Sequence, residues 1–454
     1  MAIAIQQEPT SPGMANSDVL FTVVSTVSSQ PQYQFVLDIY ESGSSTLIQR
    51  IKQQPNPNAK GVFNIGQILS SYIESDNVWK TQKFATSSLA NKDFVIKFGE
   101  EYGTSLSSSV LLYTGYGPAG NPAVTGSSFY TLTDGLVDPY AAVNWNFNSA
   151  SYFAMEDASI YNSFSYQHTL TNAPLTQSVN DGDYFTISYY NGNFDSPPSS
   201  TQAQDIFYVQ VTWYNAAGSS IQTNDFTNVT TNGGGPRTLS NILWGDSGAY
   251  DSQDASTRLV HIGVGPQNLE DAGISIPATW ASYKVVVTGQ GDDGLENTDG
   301  VWATLRFNKS TGDCVYNGVR FAWKNEFGVW DYYTFTLQSD SVFNIERQSY
   351  EQSFVNFSTA DNGPIYDKSR RGSRQYYNAL KQVKTANSNW ITQAEADWLR
   401  ELFFSANVYI QEGTEMLPIV INTANVVEKT NPRTQKNFQY QIEFSPANQL
   451  RPRE

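Results

Sequence analysis

Apolar and polar residues trade places at every second position in several short stretches of this chain. Tyr33, Phe35, Leu37 and Ile39 alternate with Gln34, Val36, Asp38 and Tyr40; Phe94, Ile96 and Phe98 repeat the pattern, and Asn437–Phe444 does so again near the end. A period of two puts neighbouring side chains on opposite faces, so each stretch reads as a half-buried β-strand. Further strands are expected at Thr46–Lys52, Tyr184–Tyr190, Asp205–Tyr214, Tyr283–Thr288, Val319–Asn325, Asp331–Leu337, Val408–Gln411 and Leu417–Ile421, with turn-forming residues between them. Helical spacing is predicted twice. Asn64 would cap a short helix whose face is Ile65, Ile68, Leu69 and Tyr72. Thr392 and Glu395 form a capping-box pattern ahead of Trp398, Leu399 and Leu402, a helix over 392–404. The expected fold is mainly β: several domains of antiparallel β-sandwich, jelly-roll-like, with one or two short helices in the terminal domains. No fixed-period repeat points to a propeller or solenoid.

Charge divides the chain into three blocks. Of 27 basic and 43 acidic residues, residues 1–130 hold 7 and 9, residues 131–315 hold 5 and 19, and residues 316–454 hold 15 and 15. The net charge of −16 therefore sits almost wholly on the middle block. The expected domains follow it: a β assembly domain at 1–130, an acidic jelly-roll-like sandwich at 131–315, and a β domain with the helix at 316–454. The near-neutral, aromatic-rich flanks suit association, and the acidic block would project into solvent. An acidic chain argues against nucleic acid as the main partner, because phosphate binding needs clustered Lys and Arg. No apolar run approaches the roughly 20 residues of a membrane span, and the N-terminus lacks the basic-then-apolar pattern of a signal peptide.

Residues that could carry chemistry are few. The single Cys314 rules out a disulfide framework, and two histidines, His168 and His261, are too few for a multi-histidine metal centre. Each histidine reads as a packing or surface residue. Glu100 and Glu101 are adjacent, so in a strand they point to opposite faces and cannot act together as acid and base. Asp181, Asp183 and Asp195 could supply a glycosidase pair only if the fold brought two of them about 5–10 Å apart; loop acids in solvent are the simpler reading. Asp292-Asp-Gly-Leu-Glu-Asn-Thr-Asp-Gly has the acids of a calcium loop but not its spacing. The basic run Lys368-Ser-Arg-Arg-Gly-Ser-Arg-Gln-Tyr-Tyr reads as a solvated loop or a salt-bridge surface between subunits rather than a nucleic-acid site. Asn228, Asn308 and Asn356 fit the glycosylation pattern by coincidence in a chain rich in Asn, Ser and Thr. Trp213 and Trp244 would have to be exposed and coplanar to stack on a sugar. No catalytic, cofactor or metal residue is expected.

Two regions resemble known proteins. Tyr33–Tyr40, Arg50-Ile-Lys-Gln-Gln-Pro-Asn-Pro and Gly61–Tyr72 form the first; Trp323–Phe335 and Trp390–Ile410 form the second. Both are similar to structural proteins of tailed phages infecting Bacteroidota, the crAss-like phages among them. The resemblance covers about half the chain, its first and last blocks. It implies a non-enzymatic virion protein, built into a tail, neck or baseplate in the host cytoplasm through contacts with its own copies and other virion proteins. The alternative is a receptor- or glycan-binding protein associated with the head or a tail fibre, with a host-surface glycan as partner.

Overall fold

A computed structural model describes residues 3–7, 9, 13–41, 46–74, 76–87, 89–103, 112–115, 129–133, 169–190, 206–227, 259–289, 301–310, 318–353, 355–357, 363–366, 372–424 and 439–448. The fold is mainly β, with several multi-stranded antiparallel sheets and, among the described residues, three short helices. The chain packs as two units: one takes residues 1–310 with Lys324–Asp331, the other Thr311–Trp323 with Tyr332–Glu454.

In the first unit, β1 (Ile3–Gln7), β3 (Leu20–Ser25) and β6 (Lys60–Asn64) form a small antiparallel sheet. A larger sheet runs β2 (Gly13–Met14), β10 (Phe129–Thr133), β8 (Asn91–Glu101), β4 (Gln34–Glu41), β5 (Leu47–Gln53), with β9 (Leu112–Gly115) also on β8. Phe21, Val23 and Phe63 of the small sheet share one core with Phe35, Leu37, Ile39, Ile96 and Phe98 of the larger. Phe21 and Phe63 tilt against the Phe98 ring at 5.3 and 6.0 Å. That is a sandwich closed by aromatic packing.

The predicted half-buried strand at Tyr33–Tyr40 needs correction. Its alternation is real, yet Val36 and Asp38 on the second face are fully buried too. Asp38 is tolerated there because Arg50, its register partner on β5, meets it with two hydrogen bonds of 2.7 Å. The helix α1 is also shorter than its periodicity suggests, spanning Gly66–Ser70 with Ile65 at the N-cap. Asn64 still works at its start, where Oδ1 accepts from the Gly66 and Val19 amides.

Among the described residues of this unit, a second pair of sheets follows. β12 (Thr186–Tyr190), β15 (Leu259–Gly263) and β7 (Phe84–Thr86) form one. The other runs β11 (Thr176–Val179), β17 (Val301–Lys309), β16 (Ser282–Gly289), β13 (Ile206–Tyr214), β14 (Ser220–Thr227). Phe185 meets Phe307 edge-on at 4.9 Å, and Tyr283 stacks on Phe307 at 4.8 Å. The β13–β14 turn uses Gly218 at φ +78°, with Asn215 Oδ1 accepting from Ala217 and Ser219.

The join between β7 and β15 is long-range, and one side chain organises it. Asn268, on α2 (Pro266–Asp271), is fully buried. Its Nδ2 donates to the Trp79 and Thr81 carbonyls at 2.6 and 2.8 Å, and its Oδ1 accepts from the Phe185 amide at 2.8 Å. Gly263 is required beside it, because a Cβ there would sit 1.9 Å from the Thr81 carbonyl oxygen.

In the second unit one sheet runs β19 (Trp330–Phe335), β18 (Val319–Lys324), β24 (Val408–Glu412), β25 (Glu415–Ile421), β26 (Gln441–Pro446), β23 (Ser373–Asn387), β20 (Asp340–Glu351). A short ribbon pairs β21 (Val355–Phe357) with β22 (Pro364–Tyr366). Helix α3 (Gln393–Phe404) has the expected capping box, with the Glu395 amide donating to Thr392 and the Thr392 amide to the Glu395 carboxylate. Its buried Trp398 packs against Trp323 and Tyr333 at 5.1 and 5.9 Å.

Asn268→Ala leaves one buried amide and two buried carbonyls without their partner. We expect a loss of about 2–4 kcal/mol in urea unfolding. A change under about 0.5 kcal/mol would show that Asn268 does not hold this join.

Candidate functional site

Most strands gain stability by burying at least one face. β20 does not. All twelve of its residues are exposed, including Val342, Phe343, Ile345 and Tyr350 at 42–56%. Its partner β23 is exposed or half-buried from Ser373 to Thr385, and Tyr376 stands at 55%. The two strands pair antiparallel from Asp340–Thr385 to Glu351–Ser373. β26 joins β23 only at Lys384–Asn387. Beyond that point the ribbon has two strands and, among the described residues, no third. Twelve residues at strand rise give an arm of about 37 Å.

Local pairing explains how the arm keeps its register. Val342 faces Val383, Ile345 faces Leu380, and Gln382 Nε2 donates to Ser341 Oγ at 2.9 Å. A bulge leaves Tyr376 as the extra residue between the Gln348–Tyr377 and Ser349–Gln375 pairs. Its hydroxyl donates to Gln348 Oε1 at 2.7 Å, and its ring tilts toward Tyr350 at 6.1 Å. Apolar residues lie on both faces: Val342, Ala379 and Val383 on one, Phe343, Ile345 and Leu380 on the other. Neither face is a core face. A bare two-stranded ribbon is only marginally stable in water, and this one has no core beneath it among the described residues.

The sequence located part of it. Ser373–Tyr377, the second half of the basic run, opens β23; Lys368 lies outside the described residues. The apolar residues of Asp340–Glu351 follow no period of two, so the sequence pattern does not mark this strand. Residues rich in strand formers but without a preferred face are the signal that marks such a ribbon.

The candidate residues that fall among the described ones are held by structural partners. Glu100 and Glu101 do lie on opposite faces of β8. Glu100 is fully buried, and its Oε2 accepts from Ser25 Oγ at 2.6 Å and Tyr33 hydroxyl at 3.1 Å. Burial and the Glu100 charge raise the Tyr33 phenol above its usual range. Glu101 pairs with Lys52. Asp181 pairs with Lys309 at 2.6 Å and accepts from Trp280 Nε1 at 2.8 Å. Asp183 accepts from the Asn180 amide at 2.8 Å, closing the turn. Trp213 is fully buried and donates to Asn224, so it belongs to the core and offers no sugar platform. Asn308 lies within β17 and Asn356 within β21. Asp195, the 292–300 acidic stretch, His168, Trp244, Asn228 and Cys314 lie outside the described residues. Among the described residues no group of three His, Cys, Asp or Glu could hold a metal ion, and no helix is long and apolar enough to cross a membrane.

His261 is the one candidate with unusual electrostatics. It sits in β15 directly opposite Ser188 of β12, and Nδ1 and the Ser188 Oγ share a 2.7 Å hydrogen bond. Nε2 has no partner. Both residues are 2–3% exposed, so the pair presents no open nucleophile to a substrate. Burial holds the imidazole at about 4; Lys324 pushes the same way and Asp76 opposes. The turn Lys324–Asp331 lines the same region of the first unit. Trp330 Nε1 donates to the Asp76 carbonyl at 2.7 Å, and Asn325 Nδ2 donates to the Leu170 carbonyl at 2.8 Å.

No family model matches this chain, and no curated protein matches it in sequence.

His261 gives a pH prediction. Its folded value of about 4 lies below the unfolded 6.5, so the unfolded chain takes the proton first. Its contribution to stability is complete above pH 6.5 and is lost as pH falls toward 4. Between pH 7.5 and 5 that amounts to roughly 2 kcal/mol. Urea unfolding at the two pH values should show the loss in the native chain and a smaller one in His261→Gln. Equal losses would place the pH dependence elsewhere.

Proposed function

We propose that this chain is a non-enzymatic structural protein of a tailed-phage virion, one of the subunits that build a tail, neck or baseplate. The observation that carries the reading is the β20–β23 arm, which sets apolar side chains in solvent on both faces. A subunit that must grip its neighbours gains from such an arm, and an isolated protein does not. The resemblance of Tyr33–Tyr40, Arg50–Pro57, Gly61–Tyr72, Trp323–Phe335 and Trp390–Ile410 to phage structural proteins supports the same assignment. So does the use of Glu100, Glu101, Asp181, Asp183 and His261 in contacts that hold the fold together. Its partners would be its own copies and other virion proteins, and its location the particle.

Mass spectrometry of purified native particles tests the assignment. We expect peptides of this chain in constant ratio to the other structural proteins after the particles are banded and washed. Their absence from infectious particles would overturn it.

A further inference from the structure

The arm has two strand edges, and they carry opposite charge. β20 holds Asp340, Glu346 and Glu351 against one base, Arg347. β23 holds Arg374, Lys381 and Lys384 and no acid. β20 is the outermost strand of its sheet. The outer edge of β23 meets β26 only at its end, from Lys384 on. Each edge therefore presents unpaired backbone donors and acceptors over most of its length, among the described residues, and unpaired edges are templates for another strand.

We propose that the arm pairs with the arm of a second copy of this chain, the outer edge of β20 against the outer edge of the neighbour's β23. This rests on the assembly reading above and names the partner of that surface. The charges choose this arrangement over the two-fold ones. Centred antiparallel pairing of β20 with its own copy sets Asp340 against Glu351. Pairing of β23 with its copy brings together two strands that carry Arg374, Lys381 and Lys384 and no acid. Like charges opposite one another destabilise a strand pair, and opposite charges stabilise it. Pairing β20 with β23 also buries Val342, Phe343 and Ile345 beside a neighbour. Because the two edges differ, the contact is head-to-tail and repeats from copy to copy, closing into a ring or running on as a filament.

Two charge variants of the full chain test this. Glu346→Lys/Glu351→Lys makes both edges basic, and Arg374→Glu/Lys381→Glu makes both acidic. Native mass spectrometry and sedimentation should show oligomers for the native chain. Each variant alone should associate about tenfold more weakly or less. An equimolar mixture of the two should recover association, because each basic edge then meets an acidic one. That recovery also shows that both variants fold. A native chain that stays monomeric overturns the proposal. So does an Arg374→Glu/Lys381→Glu variant that associates as the native chain does, or a mixture that fails to recover. In each case the particle measurement stands apart: a chain found in virions but monomeric in solution keeps the virion assignment and refutes the pairing of copies.

Discussion

Ordering a strand costs about 1–2 kcal/mol per residue in backbone freedom, and hydrogen bonds exchanged with water return little of it. Burial of apolar side chains must supply the difference, and that requirement sorts the strands of this protein. β4 and β8 meet it with Phe35, Leu37, Ile39, Ile96 and Phe98, all fully buried. β16 and β17 meet it with Tyr283, Val285, Val287 and Phe307. β20 leaves Val342, Phe343 and Ile345 more than half exposed. Its hydrogen bonds to β23 hold a register without a core beneath it. Among the described residues, the outer arm is thus expected to open more readily than any other long strand pair, as local stability follows buried contact.

Buried ionisable groups follow a second rule: each must be paired, hydrogen-bonded or neutral. Three cases in the first unit take three different solutions. Asp38 keeps its charge by facing Arg50 across the β4–β5 hairpin. Glu100 sits under two hydroxyls, from Ser25 and Tyr33, with Oε1 left unpartnered. His261 stays neutral beside Ser188. These groups have the residue types of catalysis but not its access. A nucleophile or general acid must reach a substrate, and 0–3% exposure closes that route at Glu100, Ser188 and His261.

Legibility in the sequence followed from how local each cause is. The Thr392–Glu395 capping box acts within one turn, and α3 begins where it says. The alternation of Phe94, Ile96 and Phe98 is a property of one strand, and β8 appears there. Alternation within its own strand puts Asp38 on the wet face. Its register partner Arg50 lies in the predicted returning strand, so the pair was within reach of a two-strand reading. His261 sits inside Leu-Val-His-Ile-Gly, every residue of which is buried, and a histidine in so short an apolar run marks a strand covered on both faces. The Asn268 hub was beyond reach. Its partners are 83 to 189 residues away, and a lone Asn in a short helix announces none of them.

Charge and packing divide the chain by different rules. The net −14 of residues 131–315 changes abruptly at its borders, yet β7, from the nearly neutral first block, completes the sheet of β12 and β15 from the acidic one. Strand pairing depends on backbone edges and apolar faces, and neither responds to the net charge of a block. Three acids of this block among the described residues show why. Asp181 is held by Lys309 and Trp280, Asp183 closes a turn, and Asp271 accepts from the Tyr184 hydroxyl and from Gln267. They serve local hydrogen bonds and contribute to the count without marking a boundary. In the arm the same bookkeeping has a different meaning. There the charges stand on two adjacent strands with few side chains around them, so their sign acts on whatever strand approaches next.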